Sequence, residues 1–177
     1  FGQANKAEPP NPNWRVKKES DVYREKDLER LEFPDLPNSA TQKRGWDVTC
    51  VGNIAAIDKS PDDTLTKWFL LATNAAGDAR TVLRKFHDES QGLDKLDRVV
   101  GKLMSRTCNV NNKTFGISFA TYSEWCQQQN CSPKGRVYIA MVALRYKVDR
   151  QRGKVINTLH LLNICLLYTS PSPRDLS

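Results

Sequence analysis

Lys147, Arg150, Arg152 and Lys154 crowd eight residues late in the chain, opposed only by Asp149, with Arg136 and Arg145 shortly upstream. Like charges at that density repel one another, and an anionic partner relieves the repulsion. The chemistry they suit is docking of a polyanion. A nucleic acid binds by releasing condensed counterions, and an anionic membrane face by surface attraction. The competing use is a solubilising edge that discourages strand pairing. Lys102, Arg106 and Lys113 extend the same surface if the helix that carries them packs alongside. Trp125, Tyr138 and Tyr146 are either stacking platforms for bases or, in better agreement with their alternation, core residues.

Other reactive side chains are scattered. His87 stands beside Asp88 and Glu89, the makings of a base with an orienting carboxylate, though a surface histidine in a charged stretch is the commoner meaning. Asp62 and Asp63 are explained by helix capping without a metal. Cys50, Cys108, Cys126 and Cys131 form no C-x-x-C pair, and a zinc site would require them to converge with His87 or His160. The chain contains no G-x-S-x-G, no phosphate-binding glycine loop, no H-E-x-x-H and no dinucleotide fingerprint. Catalysis needs convergent groups, so the expectation is a non-enzymatic protein with no cofactor and no metal. The sparse cysteines, in a chain of 177 residues able to build a core, fit a reducing, intracellular compartment.

The net charge of +7 is unevenly distributed. Residues 1–44 carry nine basic and eight acidic side chains, 45–100 seven and nine, and 101–163 ten and two. Segment 1–44 is poor in apolar residues and holds Pro9, Pro10, Pro12, Pro34 and Pro37, so it reads as a flexible arm outside the core, with a marginal helix from Ser20 to Leu31. A single domain follows over 45–163. Trp46, Val48, Cys50, Ile54 and Ala56 alternate like a strand, with Gly52 as a bulge. Ser60 and Pro61 open a helix whose stripe is Leu65, Trp68, Phe69 and Ala72. Ala79, Val82, Leu83 and Phe86 mark a second helix, and Leu93 to Met104 a third.

The period then changes to two. Phe115, Ile117 and Phe119 suggest a strand running toward Trp125. Arg136 to Val148 is apolar on both faces through Leu144, which suits a central strand. A turn over 149–153 returns the chain along Lys154 to Leu162 as a basic hairpin. The expected fold is therefore α+β: a strand, three amphipathic helices, then an antiparallel three-stranded region ending in the hairpin. Residues 165–175, C-L-L-Y-T-S-P-S-P-R-D, look like a translated transposase sequencing adapter, and the tail 164–177 is expected to be artefactual and to carry no function.

A proline-bearing arm, a strand, amphipathic helices and late basic strands over residues 9–163 resemble the layout of rhabdovirus matrix proteins. Glu8-Pro9-Pro10-Asn11 lacks the P-P-x-Y motif common in that family. The resemblance implies a small viral structural protein that bridges nucleoprotein and the inner membrane face. The expected function is thus polyanion docking through Arg136, Arg145, Lys147, Arg150, Arg152 and Lys154, with nucleic acid, nucleoprotein or an anionic membrane surface as partner, and self-association as a further contact. The alternatives are an RNA-binding module of winged-helix type and a fragment of a larger enzyme.

Overall fold

Every regular element of the computed structural model, which describes residues 18–108 and 112–147, is helical. A single 3₁₀ turn at Glu19–Asp21 precedes α1 (Glu25–Leu28), α2 (Ala40–Ile57), α3 (Thr64–Thr73), α4 (Ala79–Asp88), α5 (Asp94–Thr107), α6 (Gly116–Gln128) and α7 (Gly135–Tyr146). Among the described residues there is no strand, which overturns the α+β expectation. The segment expected as the first strand of a basic wing is helix α7. Residues 148–177, which include the turn, the returning strand and the tail, lie outside the described residues.

The core is organised around α7. Its residues 135–144 are all buried, and α3, α4 and α5 pack against it. A helix apolar all round has no wet face and takes the centre of a bundle. The same property made the segment read as a central strand, because a short continuous apolar run does not reveal its period.

Two further segments read as strands are helices for the same kind of reason. In α2 the buried residues are Trp46, Cys50, Ile54 and Ile57, a 3.6-residue stripe. Val48, which gave the alternation, is 73% exposed. Ser39 caps this helix by accepting from the Gln42 N–H (3.2 Å), and the Gln42 side chain accepts from the Asn38 N–H (2.9 Å). This is close to a capping box. In α6, Phe119, Tyr122 and Cys126 continue a stripe that starts at Phe115, and Asn112 Oδ1 accepts from the Thr114 and Phe115 N–H groups at the helix entrance.

Residues 18–44 are not an arm. Val22, Tyr23, Leu28, Leu31, Phe33 and Leu36 are buried in the main core. Phe33 stacks on Phe69 of α3 with ring centroids 5.9 Å apart, Lys59 donates its N–H to the Val22 carbonyl (2.8 Å), and Tyr146 donates its hydroxyl to the Pro37 carbonyl (2.6 Å). A chain with few apolar residues joins a core when those it has are all spent on one face.

The three helices between residues 64 and 107 match their expected stripes, with one correction at the start of α3. Helical structure begins at Thr64, after Asp63 in the left-handed region (φ 55°). Ser60 Oγ accepts from the Thr64 N–H (2.8 Å), but the wider anchor is Asp58, whose carboxylate accepts from Ser60 N–H and Oγ–H (2.9 and 2.5 Å) and from Leu65 N–H (2.9 Å). Asp58→Ala is therefore expected to cost more than Ser60→Ala, near the upper end of the range of about 0.5–2 kcal/mol for lost caps. Urea unfolding of the two variants checks this, and equal losses would return the cap to Ser60.

Candidate anion-binding groove

Arg136, the first of the cations expected to meet a partner, is an interior residue with 1% exposure. It occupies the first turn of α7, and its guanidinium lies over the rings of Trp68 (4.7 Å) and Phe86 (5.1 Å). Its Nη1 donates to Gln91 Oε1 (3.0 Å), its Nη2 to the Glu89 carbonyl, and its Nε faces Asp97 Oδ2 at 3.7 Å. Asp97, also fully buried, accepts from the Arg136 main-chain N–H (2.9 Å) and from Ser90 Oγ (3.0 Å). Burial pushes the Asp97 carboxyl up, while Arg136 and the Ser90 hydroxyl pull it back toward the charged form. This pair ties α5, α7 and the α4–α5 loop together and is structural.

The other expected contacts are placed differently. Arg145 is half-buried in the last turn of α7, and Lys147 is exposed just beyond it. Arg150, Arg152 and Lys154 lie outside the described residues. The segment that was to form the first strand of their hairpin is α7, so Arg136 and Lys147 sit at opposite ends of a helix rather than along one ribbon.

His87 links two helices. Its Nδ1 is hydrogen-bonded to the Tyr122 hydroxyl (2.9 Å), which also accepts from the Lys134 N–H (3.1 Å). The ring packs edge-on against Trp125, with centroids 4.8 Å apart. Asp88, the sequence-neighbouring carboxylate, pairs instead with Arg84 (3.8 Å). Burial holds the His87 pKa below its ordinary value of 6.5. An unfolded chain then binds the proton first, so stability is full above about pH 6.5 and is lost as pH falls from there toward the lower native value. His87→Gln is expected to flatten this acid slope, measured as melting temperature at pH 7.5 and 5.5. An unchanged slope would assign acid sensitivity to another group.

Among the described residues no three His, Cys, Asp or Glu side chains are grouped to hold a metal. What the fold does assemble is a basic groove of about 430 Å³ along α5. Lys95, Arg98 and Lys102 lie at i, i+3 and i+7 on one side of the helix, while Leu96, Val100 and Met104 turn into the core. Val99, Gly101 and Ser105 complete that wall, Ser132 and Pro133 of the α6–α7 loop form the other, and no carboxylate lines it. The walls approach closely because α5 and the loop meet at glycine. A Cβ on Gly101 would fall on the Pro133 carbonyl oxygen, and one on Gly135 would enter Val100.

Negative charge gathers at the Lys95 end of the groove. Glu19 accepts from the Lys95 main-chain N–H (2.7 Å), and Glu25 pairs with the Lys95 ammonium. Both lie near the positive end of the α5 dipole. Lys102 belonged to the expected basic surface. Lys95 and Arg98 did not, although their helical spacing between buried apolar positions was the available signal.

No protein-family model, curated protein or solved structure matches this chain.

Proposed function

We propose that the protein is a non-enzymatic docking module for a polyanion, with single-stranded nucleic acid as the partner and the α5 groove as the described part of its site. The observation that carries the reading is the groove's lining: Arg98 and Lys102 with no carboxylate in the lining, and Lys95, paired with Glu25, at one end. Phosphate contacts of this kind position a strand without reading its sequence. A concave wall suits a strand better than the plane of a bilayer. Among the described residues the large exposed apolar side chains, Val48, Leu71 and Ile117, stand on three different helices and none lines the groove, so among them no apolar face accompanies the cations to a membrane. Arg145 and Lys147, at the other end of α7, are proposed as a second and separate contact, while Arg150, Arg152 and Lys154 lie outside the described residues. The resemblance to matrix proteins included late strands and carries no part of this reading.

Fluorescence anisotropy with a labelled single-stranded RNA tests it. Two phosphate contacts, from Arg98 and Lys102, predict a slope of log K against log salt of about −1.4, at about 0.7 per neutralised phosphate. Arg98→Gln with Lys102→Gln should bring the slope close to zero and leave the melting temperature unchanged. Binding lost only on Arg150→Glu with Arg152→Glu would move the site to the C-terminal cations. Binding to anionic vesicles but not to RNA would refute the choice of partner.

A further inference from the structure

We propose that Ser132 is a phosphorylation site whose phosphoryl group seats in the α5 groove and closes it to the polyanion; the regulatory part of this rests on the groove being the docking site. Two described serines precede proline, Ser60 and Ser132. They differ in every property that matters to a kinase. Ser60 is half-buried, donates its hydroxyl to Asp58 and accepts from the Thr64 N–H, so its oxygen is engaged and faces a carboxylate. Ser132 is exposed in the loop between α6 and α7, and its hydroxyl has no partner among the described residues.

Pro133 disfavours helical backbone at Ser132 and holds the dipeptide in the extended form that a kinase cleft accepts. Beside it, in the same groove, lie Arg98 and Lys102, with no carboxylate in the lining. A phosphoserine adds about −1.5 to −2 charge and three acceptor oxygens, and opposite such cations it gains charge-assisted hydrogen bonds. The loop is too short and too tightly packed, through Gly101 and Pro133, to carry the phosphate far from that wall.

The donor is the magnesium complex of a nucleoside triphosphate, and the catalyst a proline-directed protein kinase. The Ser132 Oγ attacks the γ-phosphorus, an Oγ–P bond forms as the bridging O–P bond breaks, the diphosphate leaves with the electron pair, and the hydroxyl proton passes to the kinase base.

Three measurements on the full chain test this. With a proline-directed kinase, mass spectrometry should find phosphate on Ser132 and not on Ser60; label on Ser60, or no label on Ser132, overturns the assignment. With phosphoserine installed at position 132, a phosphorus NMR titration should give a second pKa below the ordinary value of about 6, returning to it in Arg98→Gln with Lys102→Gln. The same value in both backgrounds means the phosphate does not seat in the groove. Finally, phosphorylation should weaken RNA binding at 0.1 M salt by about 25-fold, the loss of two phosphate contacts. Equal affinity of the two forms overturns closure. A chain that binds no RNA in either form refutes the docking function alone, since the phosphorus titration then still decides where the phosphate sits.

Discussion

Replacing Asp97 with alanine is expected to cost about 3–5 kcal/mol, the usual loss when a buried ion pair is broken by removing one member. The Arg136 guanidinium would remain between Trp68 and Phe86 without its paired carboxylate, and the Arg136 N–H and the Ser90 hydroxyl would lose their acceptor. Asp97→Asn keeps an acceptor in place and should cost less. Arg136→Met removes the charge and retains much of the volume, so its loss should also be smaller than that of Asp97→Ala. The double variant separates the pairwise part from the rest, and a coupling in the upper part of the range of about 0.5–3 kcal/mol is expected for residues this close. Urea unfolding of the four proteins measures it. Additive losses would mean that α5 and α7 are held by apolar packing alone.

Gly101→Ala sets two effects against each other. Alanine in place of glycine inside a helix gains about 1 kcal/mol of propensity. The new methyl group, however, would strike the Pro133 carbonyl, with the carbonyl carbon 3.1 Å and the Gly135 nitrogen 3.2 Å away. These are backbone atoms, which do not swing aside as a flexible side chain does. Overpacking costs about 1–3 kcal/mol, and the upper end applies when the obstacle is main chain. The net expectation is a loss of about 2 kcal/mol, or about 4–8 °C in melting temperature for a chain of this size. Because the displaced loop forms one wall of the groove, RNA affinity should fall as well. Gly52→Ala is the control: nothing lies within 4 Å of its new methyl, so it should gain up to about 1 kcal/mol. A stabilised Gly101→Ala would show that the two walls are not in contact.

The parts of the fold that were legible in the sequence are those where two signals agree. The stripe Leu65, Trp68, Phe69, Ala72 comes with turn and capping residues before it, and α4 has both its stripe and Asp78 as N-cap. Where one signal stood alone it misled. Trp46 to Ala56 alternates in sequence, yet only its Trp46, Cys50 and Ile54 are buried, and the Ser39–Gln42 cap just before it lay in a segment dismissed as an arm. Arg136 to Leu144 has no periodicity to read, since a central helix and a central strand are equally apolar.

Charge misled in a related way. Residues 45–100 sum to net negative, which hides Lys95 and Arg98, because a segment total ignores direction. Asp97 points into the core while its neighbours Lys95 and Arg98 line the groove. Conversely, Arg136 adds to the basic total of residues 101–163 yet lies inside, because a helix without a wet face has no place for a cation except against a buried carboxylate.

The most direct test of the groove is amide chemical-shift mapping of the full chain during titration with single-stranded RNA. The docking account predicts shifts concentrated at residues 95–105 of α5 and at 132–134, growing with RNA, and abolished at those positions in Arg98→Gln with Lys102→Gln. Shifts confined to other helices, with α5 and the α6–α7 loop unmoved at saturation, would contradict it.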